Sequence, residues 1–254
     1  HVDIIELQQA KLAVERLACA VIPLLGIAQF RRNPQVFALL TFRESRIVQR
    51  ATHAGLSVGE DGATHQSVED MAIMRSLPNM TVVCPADAAE TEAVIRAAVA
   101  HDGPVYVRMG RAKVDDVYQS GCPFQWGKGT VLRDGCDAAV IATGLMVQEA
   151  LKAADILANR GRQVMVIDMA AIKPLDEDLV VAAARKTGFV VTAEEHSVIG
   201  GLGGAVAETL SCRCPTRQAY VGIQDCFGES GKAGDLLKKY GLTAEAIVDA
   251  CLLA

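Results

Sequence analysis

The stretch Thr52–Arg75, THAGLSVGEDGATHQSVEDMAIMR, constrains this chain more than any other. It holds two histidines (His53, His65), the Glu60–Asp61 pair and three glycines (Gly55, Gly59, Gly62) within a short span. Glycines at this density open backbone angles closed to other residues, so the segment reads as a turning loop. A helix is expected next. Ser67 stands where an N-cap would, Asp70 follows three residues on, and Met71, Met74, Ser76 and Leu77 mark a mostly apolar face. Two imidazoles and two carboxylates are thus carried on a glycine-hinged loop ahead of a helix. Imidazole titrates near neutral pH and moves protons at small cost, which makes this a candidate catalytic loop. A solvated surface loop is the plain alternative.

The rest of the chain sets the frame for that loop. Its 254 residues suffice for one or two domains with a sizeable core. Aromatics are only 4%, while Ala, Val, Ile and Leu abound, which favours helices packed on a buried parallel sheet. A net charge of −5 offers no basic face for nucleic acid. Eight cysteines are scattered without paired spacing and read as reduced thiols of a cytoplasmic protein; Cys212 and Cys214 alone are too thin a metal motif. The apolar run Leu17–Ala28 is interrupted by Pro23 and too short to span a bilayer. The chain begins at His1 rather than Met, as a fragment or a processed product does, and shows no clear signal peptide.

In chain order, Glu6–Leu25 has helical apolar spacing broken by Pro23, and Phe37–Phe42 has strand character. Arg31, Arg32, Arg43, Arg46 and Arg50 make this segment basic, as a solvated face or an anion site. After the loop and its helix, Met80–Cys84 reads as a strand. Asp87 opens a helix to about Ala100, with apolar residues at 89, 93, 94 and 97, and Val105–Met109 is the next strand. Arg108 falls near the end of that strand, where ligands gather in open α/β sheets; it is a candidate phosphate binder or a surface arginine. Residues 116–135 read as a linker with a short strand near Gly129–Leu132. Beyond it, strands at Ala138–Ala142, Val164–Asp168, Phe189–Ala193 and Arg217–Ile223 alternate with helices at Met146–Asn159, Asp176–Lys186 and Gly203–Leu210. Helices at Asp235–Tyr240 and Ala244–Leu253 close the chain. That alternation predicts a doubly wound α/β domain. The expected organisation is a parallel-sheet α/β domain over 1–115, a linker over 116–135 and a second α/β domain over 136–254. Gly200–Gly204 after Glu194-Glu195-His196 does not fit the dinucleotide fingerprint, so close approach of helix and sheet is the preferred reading.

Thr52–Glu69 matches throughout the signature T-H-[AD]-[GS]-x-x-x-G-E-D-G-x-T-H-Q-x-x-E of the transketolase family. The E-E-H-x-x-x-G-G-L-G-x-A run from Glu194 and the I-K-P-L-D turn from Ile172 also resemble that family's C-terminal domain, with Asp176 read as a helix N-cap. The resemblance extends from Thr52 to about Leu252, and most resembles the small subunit of a split transketolase. It implies a pyrimidine-binding-type α/β domain followed by the transketolase C-terminal α/β domain. It also implies a cytoplasmic enzyme of the pentose phosphate pathway that moves a two-carbon ketol unit between sugar phosphates with thiamine diphosphate. By motif match, His53 and Asp61 contact substrate hydroxyls, His65 sits by the aminopyrimidine and assists proton transfer, and Arg108 binds the substrate phosphate. The family fixes its Mg²⁺ and diphosphate through a Gly-Asp-Gly segment and a later asparagine. Here Gly59–Gly62 reads G-E-D-G and Asn79 is too near, so no metal ligands are assigned to this chain. Mg²⁺ and diphosphate are expected on an N-terminal diphosphate-binding subunit, in a homodimer or heterotetramer.

The resemblance fails upstream. Gly26-Ile27-Ala28 is followed by Gln29 where the family carries the glutamate that protonates the aminopyrimidine. That leaves open a related thiamine diphosphate enzyme subunit, of deoxyxylulose phosphate synthase or 2-oxo acid dehydrogenase β type, or an impaired subunit serving as an interaction module.

Overall fold

The computed structural model describes residues 48–118 and 121–254, all within the unit Glu44–Ala254. The expected helix at Glu6–Leu25, the strand at Phe37–Phe42, and Gln29 lie outside the described residues. The architecture is α/β, with two sheets dominated by parallel pairs. The first contains β1 (Val48–Ala54), β2 (Thr81–Val83) and β3 (Val105–Gly110) in the order β1-β3-β2, with β1 and β2 both parallel to β3. Helices α1 (Asp70–Ser76) and α2 (Ala88–Ala100) and a 3-10 segment, Leu56–Asp61, belong to this half. Asp87 caps α2 by accepting the Glu90 amide at 2.8 Å. Of the expected apolar positions of α2 only Val94 is buried. The inward stripe is Glu90, Val94 and Ala98, because Glu90 turns in to accept the Ala86 amide at 2.7 Å.

The second sheet runs β4 (Thr130–Arg133), β6 (Val164–Asp168), β5 (Ala138–Ala142), β8 (Phe189–Ser197), β9 (Arg217–Ile223). Its last four strands are parallel and β4 lies antiparallel against β6. β5 and β6 are buried along their whole length, as near-continuous apolar runs require when both faces are covered. Helices α3 (Met146–Ala158) and α7 (Ala244–Cys251) close one face: Val147, Ala150, Ala154, Ile247 and Val248 pack with Val140, Val166 and Val191. Helices α4 (Glu177–Thr187) and α5 (Leu202–Arg213) close the other, with Val180, Ala184, Val206 and Leu210 against Ile141, Ile167 and Val190. A shorter α6 spans Ala233–Lys239. Asp176 caps α4 through the Leu179 amide, as its sequence position predicted. Among the described residues every cysteine is free, and no helix is long and apolar enough to cross a membrane.

At two places the structure departs from the sequence pattern. The I-K-P-L-D segment is more than a turn. Ala171–Lys173 forms β7, which leaves the second half and pairs antiparallel with β2, adding a fourth strand to the first sheet. The continuous apolar run Val164–Ile172, broken only by Asp168, gives no sign of where one strand ends and the next begins. The two halves meet again where Thr143 Oγ1, just after β5, donates to the Cys84 carbonyl at 3.0 Å. The second departure is Ser67, which is not the N-cap of α1. The helix begins at Asp70 after Glu69, and Glu69 makes no side-chain cap bond. Ser67 is drawn into a bridge with Ala54, and its carbonyl accepts the Gly55 amide at 2.8 Å.

Candidate functional site

That bridge closes the histidine loop at its base. β1 delivers His53, the loop turns through the 3-10 segment, and the chain returns to Ser67 beside Ala54. His53 lies one residue before the bridge and His65 two residues before its other half, so both imidazoles flank one neck. Both are exposed. His53 itself has φ 74°, in the left-handed region that non-glycine residues rarely adopt, at a register break in the β1–β3 pairing. Such backbone strain is held only where surrounding contacts over-determine it, and it concentrates at functional sites.

The glycines of the loop serve close approach as well as turning. Gly55 (φ 86°) and Gly62 (φ 77°) have no room for a side chain: a Cβ would strike the Glu195 carboxylate at Gly55 and the Ser230 hydroxyl at Gly62. Both obstacles belong to the C-terminal half. Gln66 ties the loop to the same half. It is buried, and its Nε2 donates to the Gly59 carbonyl at 3.2 Å and the Glu229 carbonyl at 2.9 Å.

Of the residues singled out in the sequence, the structure brings His53, Asp61 and His65 onto this one loop. His65 Nδ1 lies 3.0 Å from Thr64 Oγ1. Asp61 is half-exposed and pairs at 2.5 Å with Arg111, whose Nη1 also donates to the Val58 carbonyl at 3.2 Å. Arg111 stands just past the end of β3. The sequence reading missed it, although the three-residue step from Arg108 past Gly110 was the available signal: it carries the side chain beyond the strand end. Arg108 does not join the exposed group. It is 2% exposed, with Nε 3.0 Å from Asp70 Oδ2 and Nη2 donating to the carbonyls of Glu195 (2.9 Å) and Ser67 (3.2 Å).

Asp70 is the centre of this buried network and also accepts from the Tyr106 hydroxyl at 2.6 Å. Burial alone would push its carboxyl up. The Arg108 charge and the hydrogen bonds from Tyr106 and Arg108 outweigh it and hold Asp70 below the ordinary carboxylate value. The strand β8 supplies the rest. Burial raises Glu194 to about 7, against the Leu202 and Gly203 amides that its two oxygens accept at 2.7 Å each. Burial and the Arg108 charge lower His196 to about 4. Neutral His196 is suited to its contacts, with Nε2 accepting the Ala72 amide at 3.4 Å and Nδ1 2.7 Å from the Ser197 carbonyl. It thereby partners the Ala72 amide in the first turn of α1. The rim of the loop is polar and open, and its floor is a buried charge network.

Two family models match this chain in tandem: the transketolase pyrimidine-binding domain over residues 26–116 and the transketolase C-terminal domain over 127–247. A putative transketolase C-terminal section from Methanocaldococcus jannaschii is 50% identical over 200 residues, 78% of this chain and 62% of that protein. The 6-deoxy-6-sulfo-D-fructose transketolase subunit SqwH of a Clostridium species is 43% identical over 240 residues, 89% of this chain and 74% of that subunit. A solved split-gene transketolase, described as an inactive β4 tetramer, superposes with a TM-score of 0.77 at 51% identity, covering 82% of this chain and 66% of that one. Fold and loop define a transketolase-type two-sheet α/β protein. The chain belongs to the transketolase family and is similar to that family's C-terminal subunits; it spans about three-fifths of the M. jannaschii relative's length.

Proposed function

We propose that this chain is the C-terminal subunit of a thiamine diphosphate-dependent transketolase that transfers a two-carbon ketol unit between sugar phosphates in cytoplasmic carbohydrate metabolism. The observation that carries this reading is the bridged loop, which presents His53, Asp61 and His65 beside the half-exposed Arg111. When bound, thiamine diphosphate supplies the carbanion chemistry, and the protein orients substrate and handles protons. In this reading His65 faces the aminopyrimidine and moves a proton there. His53 and Asp61 hydrogen-bond substrate hydroxyls. Arg111 takes the substrate phosphate in the place the sequence reading gave to Arg108. Arg108 would have to leave a buried carboxylate to reach a ligand, whereas Arg111 need only exchange a half-exposed one.

The residues present fit the ring and the sugar phosphate: two imidazoles and a guanidinium on an exposed rim. A diphosphate with its Mg²⁺ requires a cage of hard oxygen ligands. No group of three or more His, Cys, Asp or Glu side chains among the described residues is arranged as a metal site. We assign diphosphate and Mg²⁺ to an N-terminal diphosphate-binding subunit, with the cofactor bridging the two chains in a homodimer or heterotetramer. Isothermal titration with thiamine diphosphate and Mg²⁺ tests this. The chain alone is expected to bind weakly or not at all, and to bind tightly once mixed with a diphosphate-binding transketolase chain. Tight, Mg²⁺-dependent binding to the chain alone would overturn the two-subunit reading.

A further inference from the structure

Three consecutive chemistry-bearing residues at the end of β8, Glu194, Glu195 and His196, are all buried, at 1%, 4% and 0% exposure. Buried polar and charged groups persist only with partners, and each of these has its own. Glu194 takes the two amides at the start of α5, and His196 takes the Ala72 amide of α1. Glu195 turns the other way from Glu194, as alternation along a strand requires. Its Oε1 accepts the Ser57 amide at 2.6 Å, at the start of the 3-10 segment within the histidine loop. A short, buried bond of this kind fixes the amide and the carboxyl oxygen in one geometry.

Glu195 is pinned on every side. Arg108 donates to its carbonyl at 2.9 Å, and a Cβ on Gly55 would collide with its carboxylate. A Cβ on Gly110 would lie 3.9 Å from its Oε2. The carboxylate therefore fills the space that the absent side chain of Gly55 leaves open, two residues from the strained His53. The place in the fold is telling. The parallel strands of the second sheet run β6-β5-β8-β9, so chain order reverses between β5 and β8. In open α/β sheets, ligands usually bind in the crevice beyond such a reversal. Here the carboxyl ends of β5 and β8 receive the first sheet instead: Thr143 meets the Cys84 carbonyl, and Glu195 meets the loop.

We propose that Glu195 is a positioning residue for the histidine loop, its carboxylate setting the backbone from Gly55 to Ser57 and, through it, the left-handed backbone of His53. The second sheet thus uses its ligand crevice to aim a loop of the first. This rests on the reading of that loop as substrate-facing. The structural half of the claim stands apart from that reading and is tested without partner or cofactor.

Amide hydrogen exchange and ¹⁵N–¹H spectra of the full chain are compared for wild type, Glu195→Gln and Glu195→Ala. Glu195→Gln keeps an acceptor and guards against loss of the fold. The expected result is a strongly displaced Ser57 amide in wild type, a partial return in Glu195→Gln, and at least tenfold faster exchange at Ser57 in Glu195→Ala while β5 and β6 keep their protection. Unchanged exchange at Ser57, or equal acceleration throughout both sheets, would overturn the proposal. In the assembled two-subunit complex, a displacement of the loop on the ångström scale is expected to lower kcat on the order of 10²-fold for Glu195→Ala. KM for the donor is expected to change less than threefold, and Glu195→Gln to recover most of kcat. A loosened loop in a complex whose wild type is inactive would count against the functional reading and leave the positioning role supported. A loosened loop with kcat unchanged would overturn its catalytic part.

Discussion

Two acidic residues occupy matching places in this molecule and meet opposite fates. Asp70 lies in the first turn of α1 and Glu90 in the first turn of α2, and each is at most 4% exposed. Desolvation pushes both carboxyls up. Asp70 faces Arg108 and Tyr106 and falls below its ordinary value. Glu90 faces another acid, Asp168 of β6, and rises well above its own, first through burial and then through the Asp168 charge. Asp168 is also raised by burial, although the Tyr118 hydroxyl donates to its Oδ2 at 2.8 Å. Asp168 Oδ1 has no hydrogen-bond partner among the described residues, the Glu90 carboxyl interacts with Asp168, and a hydrogen bond between two carboxyls requires a proton. The groups acting on Glu90 among the described residues are acidic or neutral: Asp87 ahead of its own helix, Asp168 on β6, and Tyr118 and Cys122 on the connecting segment. Burial is the same for both helices. The sign of the neighbour decides whether the cluster under the loop stays charged or the cluster under α2 keeps a proton.

The largest test of this contrast removes the cation. Arg108→Met leaves Asp70 buried and unpaired, which is expected to cost about 3–5 kcal/mol in urea unfolding. Asp70→Asn in the same chain is expected to recover part of that loss. A cost below about 1 kcal/mol would mean that water or a proton replaces the guanidinium readily, and the contrast would fail. A smaller effect is expected at the other helix. Because the folded chain raises Glu90 above its ordinary 4.5, the native state holds a proton that the unfolded chain has released. That contribution is fully present below 4.5 and is lost as pH rises. Wild type is therefore expected to lose stability from neutral to alkaline pH, by an amount on the order of 2 kcal/mol. Glu90→Gln, which cannot ionise, is expected to flatten the decline. A profile that is the same in both chains would show that Glu90 holds no proton.

The sequence carried the fold of the second half well because its signals are local. Apolar runs such as Ala138–Ala142, the Asp176 cap and Gly188 after α4 each act within a few residues. The histidine loop was legible for the same reason: its glycines and histidines are contiguous. What lay hidden was long-range. Ser67 looks like a cap and is instead a bridge residue, because the helix starts later, at Asp70, and its first-turn amide at Ala72 is met by His196 from the other half. β7 looks like a turn because its partner strand, β2, lies far away in sequence, in the first half of the fold. Arg108 looked like a free cation at a strand end, and nothing in its own segment reveals that Asp70 and the Glu195 carbonyl enclose it. Arg111, next to a glycine at the strand's edge, is the arginine that stays half-exposed beside the loop.

The exposed pair supplies the smallest structural effect and the sharpest functional one. Arg111→Ala removes a half-exposed ion pair with Asp61 and is expected to cost less than about 1 kcal/mol of stability. The role proposed for Arg111 is to meet the substrate phosphate. The decisive measurement is the ratio of KM for a phosphorylated sugar to KM for an unphosphorylated one, in a complex with a diphosphate-binding chain. Loss of a charge-assisted contact is expected to cost about 2 kcal/mol, raising that ratio roughly thirtyfold. Arg108→Met, corrected for folded protein, is expected to leave the ratio unchanged. A ratio unmoved by Arg111→Ala, or moved by Arg108→Met instead, would contradict the assignment of the loop's rim as the sugar phosphate site.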